Sequence, residues 1–229
     1  MNTRNRFKGH HTCAVLFLSL ASTVFALDNG MALKPPMGWN SWNVFRQNIN
    51  EENIKAIADQ MVSTGLAEAG YEYVVIDGGW YENDNVTQAN RDTFPGGIKA
   101  LSDYIHERGL KLGLYTNWAS RGHEVRDVAQ WVEWGVDYMK HDAWKSYSTE
   151  TDVWTNMRDA ILASGHPMVY SVHFQDRDAV LGDPDIVNMW RFTNDMIPYY
   201  SRDKVPDNQH WGMTTVDVIN DMMRVAPTT

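Results

Sequence analysis

Residues 134–142 read WGVDYMKHD. This segment is the clearest indication of the fold class, because it contains one complete transition from a helix to a strand. Gly135 is suited to end a helix, since glycine adopts the left-handed conformation that follows many helices. The next six residues have the apolar and β-prone character of a buried strand. Asp142 then places a carboxylate at the carboxyl end of that strand. Such a position favours chemistry over stability, because buried strands seldom carry charge.

The same alternation of strand and helix recurs along the chain. Buried strands are predicted at 37–42, 71–77, 111–115, 138–142, 168–173 and 186–192. Helical spacing of apolar residues falls between them, near 54–62, 98–105, 125–132 and 153–161, with a further helix near 216–223. Asn48 or Asn50 is suited to cap the first helix, and a glycine follows each of the first four.

Repeated strand–helix units predict a parallel sheet, either doubly wound or closed as a (β/α)8 barrel. The pairs Gly78-Gly79 and Gly96-Gly97 are too sparse for a dinucleotide or phosphate loop. Polar and aromatic residues follow nearly every strand, which favours the barrel. About six units are found, and a complete barrel typically has about 250 residues. We therefore expect an α/β chain of the (β/α)8 TIM-barrel type, incomplete, with about six βα units.

The amino-terminal residues 1–26 are predicted to be a secretory signal peptide. Arg4, Arg6 and Lys8 precede an apolar stretch that ends at Ala26, after a small-residue cleavage pattern. Residues 27–229 would form the partial barrel, in a protein that is secreted or periplasmic. The single cysteine, Cys13, lies within the signal, so neither a cysteine nucleophile nor a cysteine-ligated zinc is expected.

Composition narrows the possible partners. Lys and Arg number 20 against 29 Asp and Glu, and no basic run is interleaved with aromatic residues. Nucleic acid is therefore an unsuitable partner, and no run after residue 26 is long and apolar enough to span a membrane. No histidine spacing matches a metal motif. We expect no cofactor and no metal.

Two aspartates at strand ends are the candidate catalytic residues. Asp142 follows the fourth strand and Asp195 the sixth, so the two carboxylates can face one bond, as glycosidic cleavage requires. Each alone could equally be an exposed loop acid. Lys140 shares a strand face with Asp142 and favours its ionised form, as a nucleophile requires. Asp195 would be the proton donor and would need a raised pKa.

Other strand-end side chains are candidates for substrate contact. His173 ends the fifth strand and is suited either to bind substrate or to make an ordinary hydrogen bond, whereas His141 is expected to pack outward. Flat aromatic side chains stack on sugar rings. Four tryptophans follow strand ends and are substrate candidates: Trp42, Trp80, Trp118 and Trp144. Three others are expected to pack on helices: Trp131, Trp134 and Trp154.

Several motifs together resemble glycoside hydrolase family 27, the α-galactosidase or melibiase family. The segment 34–43, KPPMGWNSWN, is similar to its amino-terminal signature. Residues 94–115 are similar to its third βα unit, 134–142 to its nucleophile strand and 190–195 to its acid/base strand.

The resemblance implies a retaining exo-glycosidase that releases terminal α-linked galactose from an oligosaccharide or glycoconjugate by double displacement. Asp142 would be the nucleophile and Asp195 the general acid and base. Asp77, Lys140 and Arg191 would bind sugar hydroxyls, and Trp42 and Tyr115 would line the subsite. The chain carries Gly78 where the family's α-galactosidases have a second aspartate. The family's last two barrel units and its carboxyl-terminal β-sandwich have no counterpart here.

Two alternatives stay open at this point. The chain could be a family relative with another sugar specificity, such as an α-N-acetylgalactosaminidase, a β-L-arabinopyranosidase or an isomalto-dextranase. It could also be an inactive sugar-binding fragment, because an incomplete barrel would lack loops that complete the cleft.

Overall fold

The computed structural model describes residues 27–142, 151–173, 184–191, 193, 195, 196, 199, 201–205 and 213–219. Its main sheet has six strands, in the order β1-β2-β5-β6-β7-β8. These strands are β1 Gly38–Asn40, β2 Tyr73–Ile76, β5 Lys111–Thr116, β6 Tyr138–His141, β7 Val169–His173 and β8 Met189–Arg191. All six predicted strands are present, with each end within three residues of the predicted one.

Every neighbouring pair in the main sheet is parallel. The helices between the strands are α1 Trp42–Phe45, α2 Glu51–Ser63, α3 Gly97–His106, α4 Glu124–Trp134 and α5 Thr151–Ser164. Three single turns of 3-10 helix lie at Trp118–Ser120, Pro184–Ile186 and Arg202–Lys204. Residues 215–219 are helical, within the last predicted helix. Because parallel strands joined by helices all run in one direction, their carboxyl ends meet at one edge of the sheet.

Helix ends follow the capping residues expected from the sequence. Asn50 caps α2, where its Oδ1 accepts a hydrogen bond from the Asn53 amide at 2.8 Å. Glu51 and Glu52 in the first turn complement the helix dipole. Gly135 ends α4 with φ of 76°, a left-handed conformation that costs a residue with a side chain more than it costs glycine. The sequence did not distinguish Asn48 from Asn50 as the capping residue of α2, and in the structure the cap is Asn50.

Alternation along the strands divides the sheet into two faces. On β2, Val74 and Ile76 join the large apolar core beneath the helices, whereas Tyr73 and Val75 belong to a separate cluster on the other face. That second cluster also contains Val169 and is covered by partly buried side chains of Met31, Ala32, Tyr138 and Met189. The inner face therefore turns polar only toward the carboxyl ends of the strands.

A segment at residues 27–29 attaches to the amino ends of β7 and β8. The Leu27 amide donates to the Val187 carbonyl at 3.0 Å. The Asn188 side chain donates to the Leu27 carbonyl at 3.0 Å and to the Asn29 side chain at 2.9 Å. Its Oδ1 also accepts from the Tyr170 amide at 2.8 Å. One asparagine thus joins the start of the described chain to the last two strands.

A hairpin between β2 and α3 was not expected from the sequence. The hairpin consists of β3 Tyr81–Glu82 and β4 Asn85–Ala89, paired antiparallel. Its strands are too short to show a clear alternation of apolar and polar residues. A buried contact, rather than a sequence pattern, holds the hairpin in place. Val86 is fully buried, and its carbonyl accepts from the Trp131 indole at 2.9 Å.

Trp80 is a core residue, and the prediction that it contacts substrate is wrong. It is 0% exposed, packs edge-on against Trp134 with ring centroids 6.1 Å apart, and donates its indole N–H to the Tyr115 carbonyl at 2.9 Å. The hairpin and α4 enclose the side chain, and the sequence did not predict that hairpin. The packing role predicted for the helical Trp131 and Trp154 is confirmed, since both are buried.

Candidate active site

A cleft of about 770 Å³ opens at the carboxyl ends of the strands. Its volume lies within the range of sites that enclose small organic ligands. Eight of the predicted site residues line it: Trp42, Asp77, Tyr115, Lys140, Asp142, His173, Arg191 and Asp195. Their roles remain predictions, but the fold brings these eight together.

Strand alternation explains why these side chains converge. The inner face of β6 carries Tyr138 and Lys140, and Asp142 continues the same alternation just beyond the strand end. Met139 and His141 point to the opposite face and are buried there. His173 and Arg191 occupy the corresponding inner positions at the ends of β7 and β8, where the two residues are paired in register. Because side chains alternate between the two faces of a strand, the inner-facing residues at the ends of neighbouring strands all reach the same cleft.

Asp142 is surrounded by positive charge and hydrogen-bond donors. Its Oδ1 lies 2.9 Å from His173 Nδ1 and 3.7 Å from Arg191 Nη2, and its Oδ2 lies 4.0 Å from Lys140 Nζ. Burial alone raises the pKa of this carboxyl, but the hydrogen bond from His173 and the charges of Lys140, His173 and Arg191 outweigh burial. The pKa of Asp142 is therefore lowered, and its ionised form is favoured.

His173 Nδ1 has two competing neighbours. Asp142 Oδ1 is 2.9 Å away and Arg191 Nη2 is 2.8 Å away. The nitrogen can donate to the first or accept from the second, but not both. An ionised carboxylate can only accept, while Arg191 has other acceptors nearby, so we assign the proton to Nδ1 with Asp142 as its partner. His173 Nε2 is buried and has no hydrogen-bond partner among the described residues.

Asp77 is fixed by four hydrogen bonds at the end of β2. Its Oδ2 accepts from Lys140 Nζ at 2.6 Å and from Asn40 Nδ2 at 3.0 Å, while its Oδ1 accepts from the Gly78 amide at 2.9 Å. The Asp77 amide donates to Ser41 Oγ at 2.9 Å. Lys140 thus lies closer to Asp77 than to Asp142, and the sequence predicted only the second contact.

Asp195 is held by Arg191 rather than by an apolar pocket. Arg191 Nη1 donates to Asp195 Oδ1 at 2.6 Å, and the Asp195 side chain is 59% exposed. Since Arg191 Nη2 also approaches Asp142, one guanidinium spans the two candidate catalytic carboxylates.

Two aromatic side chains form walls around a small recess. A Cβ placed on Gly78 would meet Tyr115 at 3.7 Å and Trp42 at 3.8 Å, which are ordinary contact distances. The Lys140 ammonium lies 5.2 Å from the centre of the Tyr115 ring. Burial, together with the negative charges of Asp142, Tyr81 and Asp77, raises the pKa of the Tyr115 hydroxyl, so that hydroxyl remains neutral.

His141 lies outside the cleft, in agreement with the outward packing expected for it. It is fully buried, and its Nδ1 lies 2.9 Å from the Tyr170 hydroxyl. Burial lowers its pKa to about 4, so the ring is neutral near pH 7. Among the other tryptophans predicted to contact substrate, Trp118 does not line the cleft, and Trp144 lies outside the described residues.

Sequence reasoning missed the wall of the cleft that comes from the loops and the hairpin. This wall contains Gln47, Tyr81, Asp84, Asn90 and Asn117. The Asn83-Asp84 pair forms the turn, but it lacks the glycine that marks most two-residue hairpin turns and is therefore only a weak signal for this wall.

A family model described as Melibiase_2, alpha galactosidase A, matches residues 34–222. The chain belongs to this family. The resemblance to the α-galactosidase or melibiase family is thereby confirmed, and the match includes every predicted site residue.

Two curated relatives show the extent of the similarity. Alpha-galactosidase 2 of Arabidopsis thaliana is 42% identical over 186 residues, covering 74% of this chain and 47% of the relative. Alpha-galactosidase A of Cellvibrio japonicus is 39% identical over 185 residues, covering 75% and 46%. The chain therefore spans about half the length of these relatives.

A solved structure is similar in three dimensions. The crystal structure of alpha-galactosidase I from Mortierella vinacea superposes with a TM-score of 0.73 at 32% identity, covering 84% of this chain and 56% of the other. With the six parallel strands, this match confirms the predicted incomplete barrel. Within the described residues, no helix is long and apolar enough to cross a membrane. The predicted signal peptide at residues 1–26 lies outside that part of the chain.

Proposed function

We propose that this chain is a retaining exo-glycosidase that releases terminal α-linked galactose from an oligosaccharide or glycoconjugate. The observation that carries the proposal is the Asp142–Arg191–Asp195 arrangement, in which one arginine pairs with the exposed Asp195 carboxylate and lies 3.7 Å from the partly buried Asp142 carboxylate at the same end of the barrel. Similarity to named α-galactosidases supports the choice of galactose.

In the first proposed step, an Asp142 oxygen attacks the anomeric carbon as the bond to the leaving oxygen breaks. Asp195, protonated when substrate is bound, gives its proton to that oxygen, which leaves with the aglycone. Asp142 suits the nucleophilic role because its lowered pKa keeps it ionised. Substrate would have to weaken the contact between Arg191 and Asp195 for the proton to be retained.

In the second step, Asp195 acts as a base and removes a proton from water. The water oxygen attacks the anomeric carbon, the bond to Asp142 breaks, and the sugar is released with its anomeric configuration retained. Asp195 is then protonated again. Its high exposure suits this role, since water must reach it.

The remaining cleft residues would bind the sugar. Asp77 accepts hydrogen bonds, Lys140 and Arg191 donate them, and Trp42 and Tyr115 offer apolar ring faces. His173 would act mainly through Asp142, because its Nδ1 faces that carboxylate. We further propose secretion or export to a periplasm, on the strength of the signal sequence at residues 1–26.

A different sugar is the second candidate, and Gly78 is the observation that favours it. Gly78 adds no side chain to the recess beside Asp77. That recess could therefore accommodate a sugar that carries a different substituent there. An inactive sugar-binding fragment is the further alternative, because the chain spans about half the length of its relatives.

The test is a screen of the purified chain on chromogenic α- and β-glycosides of galactose, N-acetylgalactosamine, arabinose and glucose. We expect turnover of the α-galactoside and a loss of at least about 10³-fold in Asp142→Asn, because the amide is a poor nucleophile. Asp103→Asn, at an exposed position on α3, is the matched control and should retain activity. If the chain hydrolyses another glycoside and not the α-galactoside, the sugar of that glycoside, rather than galactose, is the substrate. Normal turnover in Asp142→Asn would exclude Asp142 as the nucleophile.

A further inference from the structure

The β3–β4 hairpin forms one wall of the cleft and brings a fourth carboxylate to it. Tyr81 and Asp84 line the 770 Å³ cleft. Neither lines the adjoining cavity of about 440 Å³, which shares Trp42, Lys140, His173, Arg191 and Asp195 with the cleft. The hairpin therefore borders the large cleft only, on the side where Asp77 and Gly78 lie.

Asp84 differs from the other three carboxylates in the cleft because it has no cationic partner within the part of the chain that the structure describes. Asp77 pairs with Lys140, Asp195 pairs with Arg191, and Asp142 lies near both cations. Among the described residues, no ion pair or hydrogen bond to the Asp84 side chain is found. Its charge is nevertheless felt in the cleft: burial, with the negative charges of Asp84 and Asp77, raises the pKa of Tyr81 to about 12.

The backbone at Asp84 does not require an aspartate. Asn83 and Asp84 form the two-residue turn of the hairpin, with positive φ values of 51° and 54°. Turns of this kind prefer glycine at the second position, where a side chain adds strain. Aspartate is one of the few residues with a side chain that tolerate this conformation, so the turn permits an aspartate at position 84 without requiring one.

The position of the turn is fixed by contacts on both sides of the hairpin. The Asn90 amide donates to the Trp80 carbonyl at 2.7 Å, and the Arg91 amide donates to Glu82 Oε1 at 3.2 Å. Together with the buried Val86, these contacts hold the hairpin over α4. Rigid support of this kind is what a binding residue needs.

We propose that Asp84 is a substrate-binding residue, accepting hydrogen bonds from sugar hydroxyls in the recess over Gly78 and contributing to the choice of sugar. The inference rests on the proposed function, since it assumes that a sugar occupies the cleft. A carboxylate can accept from two adjacent hydroxyls at once. The absence of a side chain on Gly78 leaves room for those hydroxyls between Tyr115 and Trp42.

The test measures binding of free sugars, so that it does not depend on turnover. Calorimetry or ligand-observed NMR would give the Kd of D-galactose, N-acetyl-D-galactosamine, L-arabinose and isomaltose for the wild-type chain. For the tightest of these, Asp84→Gly should weaken binding by about 10-fold or more, the usual effect of losing a charged hydrogen bond. Because glycine suits the turn, the thermal midpoint should stay within about 3 °C.

Glu82→Gln is the matched control. It removes one negative charge from the same hairpin, keeps an oxygen for the Arg91 amide, and lies outside the cleft. Its Kd should stay within twofold of wild type. Three outcomes would each overturn the role of Asp84. Asp84→Gly could bind sugar as tightly as wild type, both variants could weaken binding equally, or the wild-type chain could show no saturable binding of any of these sugars. A chain that binds sugar but hydrolyses no glycoside would refute the proposed function alone, and the two variants would still decide on Asp84.

Discussion

At the scale of single residues, the cleft depends on how three donors share one carboxylate. His173, Lys140 and Arg191 all approach Asp142, but each has a second neighbour in the cleft. Burial would by itself favour the protonated acid, and the three donors reverse that preference. The ionisation of Asp142 therefore depends on all three donors together. Replacing one donor should change that ionisation while the Asp142 carboxylate itself is kept.

We expect His173→Ala to move the acidic limb of the kcat/KM profile to higher pH, since it removes a hydrogen bond to the ionised form of Asp142. In the wild type, the lowered pKa of Asp142 keeps the carboxylate ionised below the usual value of 3.8. The stabilisation linked to this group is thus present above pH 3.8 and is lost as the pH falls through the lower, folded-state pKa. Initial rates across pH 3 to 7 provide the measurement.

The control for this experiment is His106→Ala. His106 Nε2 lies 2.8 Å from Asp137 Oδ2, a similar pair at the opposite end of β6. Its removal should leave the acidic limb unchanged. An acidic limb that stays in place in His173→Ala would show that Lys140 and Arg191 alone set the ionisation of Asp142.

At the scale of elements, long buried strands could be predicted and the short hairpin could not. Runs such as 71–77 combine apolar and β-branched residues with a polar end, so both the strand and its functional edge are visible in the sequence. Tyr81–Glu82 has only two residues, and its pairing depends on Val86 being buried against α4. Because that contact is tertiary, the sequence misplaced Trp80 and missed Asp84, while it found the residues at strand ends.

Trp80 should be the main support of the hairpin wall. Trp80→Ala removes a fully buried indole between the hairpin and α4, and we expect a loss of about 3–5 kcal/mol in the free energy of unfolding. Urea unfolding followed by circular dichroism measures this loss. Val125→Ala, on the exposed face of α4, should change stability by less than about 0.5 kcal/mol. A Trp80 variant as stable as this control would contradict the core position of the indole.

At the scale of the whole molecule, the segment at 27–29 is joined to the amino ends of β7 and β8 by a few hydrogen bonds centred on Asn188. Asn188 makes three hydrogen bonds that connect the segment at 27–29 with β7 and β8. No sequence pattern indicated this role, because the bonds depend on residues far apart in the chain. The sequence predicted the strands and their parallel arrangement, but not the contact between the segment at 27–29 and the last two strands.

We expect Asn188→Ala to lower the free energy of unfolding by about 2–4 kcal/mol, since it breaks these bonds and leaves the Tyr170 amide without its acceptor. Gln88→Ala, at an exposed amide on β4, is the control and should have little effect. Chemical denaturation of the two variants side by side gives the difference. A loss in Asn188→Ala no greater than that of the control would show that the hydrogen bonds of the Asn188 side chain add nothing to stability.

The same asparagine has a consequence for the order of folding. The bond between Leu27 and Asn188 joins residues 161 apart in the chain. During synthesis, residues 27–29 must wait until nearly the whole sheet has been made before their partner exists. Closing so long a loop is entropically costly, so this contact should form after the rate-limiting step. Stopped-flow kinetics of Asn188→Ala should then show faster unfolding with an almost unchanged folding rate, the signature of a contact made last.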